Sequence, residues 1–190
     1  MEMLSNKELH RQSIPGQLAD LLQKRCWILA TAESCTGGMI AAACTDLAGS
    51  SAWFERGFVT FSNAAKSELL GVDAALIAKH GAVSEPVARA MAAGAVAHSQ
   101  AQVAVSVTGV AGPSGGSVDK PVGTVWFGFA LPGAVTTEVM HFAGDRAAVR
   151  SATVQHALAR LIALMATGDL RGVPRPDSGG GPSHANDAGA

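Results

Sequence analysis

Apolar positions along the chain alternate between the two-residue rhythm of strands and the three-to-four-residue rhythm of helices. Residues 8–24 predict a first helix, with Pro15 near a possible break. An apolar run opening Trp27-Ile28-Leu29-Ala30 predicts a strand over 27–33 and a helix over 37–47. Residues 53–61 predict a second strand, one end of it wet at Glu55 and Arg56. Asn63 is the expected N-cap of a short helix, and residues 73–79 predict another, stopped by Gly81. Ser84 is placed to cap a helix running to about residue 98, with Glu85 and Pro86 favoured in its first turn. Val103-Ala104-Val105-Ser106-Val107 has the composition of a strand covered on both faces. A glycine-rich loop over 109–122 follows, then strands over 124–130 and 136–142 joined as a hairpin through Pro132-Gly133. Asp145 should cap a final helix whose Val154, Leu158, Leu161 and Met165 share one stripe.

Helices interleaved with strands predict a three-layer α/β/α sandwich, and the late hairpin makes its sheet mixed but mainly parallel. In such sheets ligands bind at the carboxyl ends of strands. The turn at 31–38 and the loop at 109–122 both leave such ends, so they are expected to face one pocket. The 190 residues fit one domain, taken as 1–167, while 168–190 is rich in Gly, Pro, Ser and Asp and is expected to be a disordered tail.

A net charge of −1 and 5% aromatic residues argue against a nucleic-acid surface. No apolar run approaches the roughly 18 residues that span a bilayer. The start of the chain lacks a signal-peptide core, and three scattered cysteines make no disulfide framework. The expected setting is cytoplasmic, with no membrane partner. No His, Cys, Asp or Glu set has metal-ligand spacing, and neither metal nor cofactor is expected.

The candidate chemistry starts at Thr31-Ala32-Glu33-Ser34-Cys35-Thr36-Gly37-Gly38. A serine between a strand and a helix start sits among unpaired backbone N–H groups, which suits a nucleophile with an oxyanion site. An ordinary helix cap uses the same residue type, and the octapeptide alone leaves both readings open.

Further motifs accompany it. Gly49-Ser50-Ser51-Ala52-Trp53-Phe54-Glu55-Arg56-Gly57-Phe58-Val59-Thr60-Phe61-Ser62-Asn63 leads to Ala64-Ala65-Lys66. Gly81-Ala82-Val83-Ser84-Glu85-Pro86, Thr108-Gly109-Val110-Ala111-Gly112-Pro113 and Lys120-Pro121-Val122-Gly123-Thr124-Val125 follow. In this order and spacing, over residues 18–165, the chain resembles the CinA C-terminal-domain family, and within it the stand-alone nicotinamide-nucleotide (NMN) amidohydrolases. The resemblance implies the same α/β/α fold, a homo-oligomer, and hydrolysis of NMN to nicotinic acid mononucleotide and ammonia in NAD recycling.

Amide hydrolysis needs a nucleophile, a base and oxyanion donors. Ser34 is the expected nucleophile and Lys66 the expected base, as similarity to Ser/Lys hydrolases also implies. A lysine base must be largely uncharged at neutral pH, so its pKa must fall well below the ordinary value near 10.4. No histidine lies in a motif. Cys35 is a rival nucleophile, since a helix N-terminus lowers a thiol pKa, but the family's working residue is the serine.

Backbone groups of Cys35, Thr36, Gly37 and Gly38, and of Gly109, Ala111 and Gly112, are the expected oxyanion and phosphate donors. Glu33, Phe61, Thr108 and Arg146 are the expected substrate contacts: Arg146 for phosphate, Glu33 for ribose or to orient Lys66, Phe61 to stack on nicotinamide. Lys120 is a weaker phosphate candidate. Family members commonly carry tyrosine where this chain has Phe61, and this chain has no tyrosine, leaving Ser62 or Ser106 to supply a hydroxyl. Two alternatives stand beside the amidohydrolase: a nucleotide-binding module that has lost catalysis, and an amidase for another small carboxamide.

Overall fold

The computed structural model describes residues 12–167. Helix α1 (Ile14–Lys24) is followed by strand β1 (Leu29–Glu33), helix α2 (Met39–Thr45), a 3-10 turn (Ser50–Ala52) and β2 (Phe54–Val59). Helices α3 (Asn63–Leu70), α4 (Ala74–His80) and α5 (Glu85–Ala97) then precede β3 (Val103–Gly109). The hairpin of β4 (Thr124–Leu131) and β5 (Ala134–His141) leads to α6 (Arg146–Ala166). The sheet order is β2-β1-β3-β4-β5. Strand β1 pairs in parallel with β2 and β3, and β4 runs antiparallel to both β3 and β5. The mixed, mainly parallel sheet expected from the sequence is therefore present. The expected tail lies outside the described residues, as do residues 8–11 of the expected first helix.

The period-two pattern of the central strands sorts their side chains into two unlike layers. Leu29, Val103, Val105, Val107, Phe127 and Phe129 face α1, α2 and α6 with Leu18, Leu22, Ile40, Leu158 and Leu161. Ala30, Ala32, Ala104 and Ala130 face α5, through Val87, Met91, Ala92 and Ala95. The second face is made of small residues, so α5 lies close on the sheet. A Cβ at Gly128 would sit 2.5 Å from the Ala88 carbonyl oxygen. The stripe predicted on α6 is buried in full: Val154, Leu158, Leu161 and Met165.

Several helix starts differ from expectation for local reasons. Ser62 caps α3 by accepting from the Ala65 N–H, so Asn63 is the first helical residue. Ser84 occupies the cap position of α5, but its hydroxyl donates to the Gly81 carbonyl. Helix α2 starts at Met39 rather than residue 37, because Gly37 and Gly38 have φ of 61° and 99°. Ser13 caps α1 and places Pro15 in its first turn, where a missing N–H costs nothing. Asp145 caps α6 through the Ala148 N–H as expected.

Because β5 runs with β1, β2 and β3, four strands deliver their carboxyl ends to one edge of the sheet. Four chain segments meet there: the turn after Glu33, residues 60–62, the loop after Gly109 and the start of α6. A Cβ at Gly94 on α5 would fall 2.1 Å from the Leu70 carbonyl oxygen at the end of α3. Gly94→Ala is therefore expected to lower stability by about 1–3 kcal/mol, the usual range for overpacking, as measured by urea unfolding.

Candidate active site

A cleft of ≈ 270 Å³ opens at this edge. Of the residues expected at a site, Ser34, Cys35, Phe61, Lys66, Thr108, Gly109, Ala111, Gly112 and Arg146 line it. The turn after β1 and the loop after β3 thus share one pocket.

Lys66 is 1% exposed although it carries an amine. It lies one turn into α3, and its stem runs back under the segment that leaves β2. Nζ lies 3.1 Å from Ser34 Oγ, 2.8 Å from the Thr60 carbonyl oxygen and 3.3 Å from that of Phe61. A neutral amine has two N–H donors and one lone pair. In the structure Nζ donates to both carbonyls and to Ser34 Oγ; in the neutral amine the third contact reverses, and the Ser34 O–H donates to the lone pair. No carboxylate pairs with Lys66 among the described residues. Burial holds the amine below the ordinary lysine range, while the Cys35 thiol acts in the opposite sense.

Ser34 continues the β1 ladder by donating its N–H to the Val107 carbonyl, and its own carbonyl accepts from the Gly37 N–H. Ser34 is 8% exposed and lines the cleft. Cys35 lies beside it, but burial pushes its thiol up to about 11, so the thiol is protonated at neutral pH. The Cys35 N–H donates to no carbonyl or side-chain oxygen among the described residues.

The structure corrects the reading of Glu33, Thr36, Gly37 and Gly38. Glu33 is fully buried beneath the turn and meets neither Lys66 nor the cleft. Its carboxylate accepts from the Thr31 and Thr36 hydroxyls and from the N–H groups of Gly38, Ile40 and Ala41. The helix start expected to bind a substrate anion is therefore occupied by the protein's own anion. The Gly37 N–H is likewise taken, by the Ser34 carbonyl, and Thr36 is fully buried. Backbone donors remain for Cys35, Ala111 and Gly112, whose N–H groups meet no protein oxygen among the described residues, that of Cys35 lying against its own sulfur.

Arg146 stands at the rim, its Nη1 donating to the Gly112 carbonyl at 2.9 Å. It also borders a second cleft of ≈ 500 Å³ that shares Ala111 with the first. Phe61 is 67% exposed at the mouth. The Thr108 hydroxyl donates to the Ala82 carbonyl, which ties the end of β3 to the start of α5. Neither hydroxyl offered in place of the absent tyrosine reaches the cleft: Ser62 Oγ caps α3 and Ser106 Oγ donates to the Ala88 carbonyl. Lys120 also lies away from it, donating to the His80 carbonyl. Among the described residues no cluster of His, Cys, Asp and Glu has the arrangement of a metal site.

Sequence reasoning missed Arg150. Its Nε donates to the Cys35 carbonyl at 3.1 Å and Nη2 to the Thr36 carbonyl at 2.9 Å. The four-residue spacing from Arg146, which puts both on one face of α6, was the available signal. Ala82 and Val83 also line the cleft, from a motif to which no site role was given.

Comparison with known proteins bears on this cleft. The profile of the CinA C-terminal domain matches residues 11–165. The nicotinamide-nucleotide amidohydrolase PncC of Enterobacter agglomerans is 57% identical over 148 residues, covering 77% of this chain and 89% of that protein. PncC of Escherichia coli (strain K12) is 54% identical over 146 residues, covering 76% and 88%. The crystal structure of a CinA superfamily protein from Klebsiella pneumoniae 700603 has a TM-score of 0.79 at 40% identity, covering 86% of this chain and 99% of that one. No helix among the described residues is long and apolar enough to cross a membrane.

Two buried groups give opposite tests. In Glu33→Gln an amide NH2 faces donors that now meet a carboxylate, and a loss of about 2–3 kcal/mol is expected from groups left unpaired, read by denaturant unfolding. For Lys66 the folded-state pKa is lowered below the ordinary 10.5. Between the lowered value and 10.5 the unfolded chain binds more protons, so stability rises with pH across that window. Measured against Lys66→Met, the wild type should gain relative stability as pH is raised toward 10.5.

Proposed function

The chain belongs to the CinA C-terminal domain family, and on that premise we propose that it hydrolyses the carboxamide of NMN, yielding nicotinic acid mononucleotide and ammonia. The observation that carries the reading is the buried, uncompensated Lys66 amine 3.1 Å from Ser34 Oγ. The names of relatives at 54% and 57% identity support the substrate.

In this mechanism Ser34 Oγ attacks the carboxamide carbon while Lys66 Nζ takes the hydroxyl proton. The tetrahedral oxyanion is met by the Cys35 N–H, the backbone donor that follows the nucleophile. Lys66 returns the proton to the amide nitrogen as the C–N bond breaks, and ammonia leaves. Water then attacks the acyl ester of Ser34 and gives its proton to Lys66, and Ser34 Oγ departs reprotonated. The two Lys66 carbonyl contacts hold the amine in place through the cycle. No metal or cofactor takes part.

Arg146 and the N–H groups of Ala111 and Gly112 serve the 5′-phosphate, with Phe61 and Thr108 bordering the nicotinamide and ribose. Arg146 is held toward the cleft by its bond to Gly112. The activity belongs to NAD recycling, and the chain acts as one domain within a homo-oligomer.

Ammonia release from NMN, with a chelator present, tests the reading. Lys66→Ala should lower kcat by about 10³-fold, within the range for loss of a general base, and Ser34→Ala at least as far. The wild-type rate should rise with pH as Lys66 loses its proton, and that limb should vanish in Lys66→Ala. Nicotinamide riboside should be a poor substrate. Full activity in Ser34→Ala overturns the mechanism, and NMN binding without ammonia release makes the protein a binding module.

A further inference from the structure

The Ser34 turn is held from two sides. Glu33 ties the helix side from within the domain core. Arg150, reaching across from α6, ties the carbonyl side. A trans peptide points its C=O and N–H in opposite directions, so fixing a carbonyl also fixes the N–H of the next residue. Arg150 Nη2 fixes the Thr36 carbonyl, which aims the Gly37 N–H away from Arg150. That N–H donates to the Ser34 carbonyl at 3.2 Å, fixing the peptide between Ser34 and Cys35. The opposite end of that peptide is the Cys35 N–H, a donor beside Ser34 that meets no protein oxygen among the described residues and touches only its own sulfur. Arg150 Nε holds the intervening Cys35 carbonyl as well.

We propose that Arg150 is a positioning residue: by holding the carbonyls of Cys35 and Thr36 it sets the Cys35 N–H and the Ser34 side chain in the geometry that amide hydrolysis requires. The guanidinium is suited to this because it presents several N–H donors in one rigid plane and can serve two carbonyls at once. A lysine's donors radiate from one nitrogen and lack the guanidinium's planar, spaced set. Arg150 also borders the second cleft with Arg146, so a direct hold on substrate phosphate is the competing role.

The inference rests on the amidohydrolase reading, and kcat and KM for NMN separate the two roles of Arg150. Arg150→Met should lower kcat by about 100-fold, the cost of a small misplacement of reacting groups, with KM unchanged. The pH midpoint of the Lys66 limb should stay where it is, because Lys66 still contacts Ser34. Arg150→Lys should fall between wild type and Arg150→Met, and it carries the same test should the methionine variant not fold. Millimolar guanidinium should restore part of the rate to Arg150→Ala. A higher KM with unchanged kcat makes Arg150 a substrate contact and overturns the proposal, as does a wild-type kcat in Arg150→Met. Absence of ammonia release from the wild type overturns the amidohydrolase reading itself.

Discussion

The geometry of the cleft depends on the Glu33 carboxylate, buried at the end of β1 with two hydroxyl and three backbone N–H donors. Burying such a group is costly unless its lone pairs are met. Here they are met by the unpaired N–H groups that open α2, and each side resolves the other's deficit. The consequence reaches past stability. One residue before Ser34 the chain is anchored to the helix that follows, so one carboxylate joins the strand end, the turn and α2. It also means that a substrate anion cannot dock on the start of α2.

The buried charge problem at Lys66 is resolved in the other direction. Its amine is given two carbonyls and a hydroxyl but no carboxylate, so desolvation dominates and the pKa falls. Had Glu33 faced the cleft, it would have stabilised the ammonium form of Lys66 and opposed that fall. Glu33 under α2 and Lys66 under the end of β2 are thus complementary choices. The carboxylate is used for architecture, and the amine is left poised against Ser34.

Sheet topology brings these parts together. The alanine face of the sheet lets α5 approach closely, and the reversed strand β4 returns β5 to the direction of β1. As a result α6 begins at the same edge as the Ser34 turn. That single fact brings Arg146 to the rim and Arg150 onto the carbonyls of Cys35 and Thr36.

Strand and helix order, the mixed sheet, the stripe on α6 and the pairing of the 31–38 turn with the 109–122 loop were all legible in the residues. Each follows from local periodicity, or from the rule that open α/β sheets bind ligands at strand ends. That Ser34 and Lys66 come together was legible through the family resemblance of their motifs, although 32 positions separate them. The roles of Glu33, Gly37, Gly38 and Arg150 were not. Which acceptor an unpaired N–H finds depends on side chains that arrive in three dimensions, and sequence neighbours cannot say which way a carboxylate turns. Ser62 displacing Asn63 as a cap shows the same limit at short range. The sequence by itself determined the elements and their order, and it singled out Ser34 and Lys66, which the fold brings to 3.1 Å of each other. Only the tertiary structure decided which charges are spent on the fold and which face the cleft, because burial and hydrogen-bond direction are properties of the packed chain.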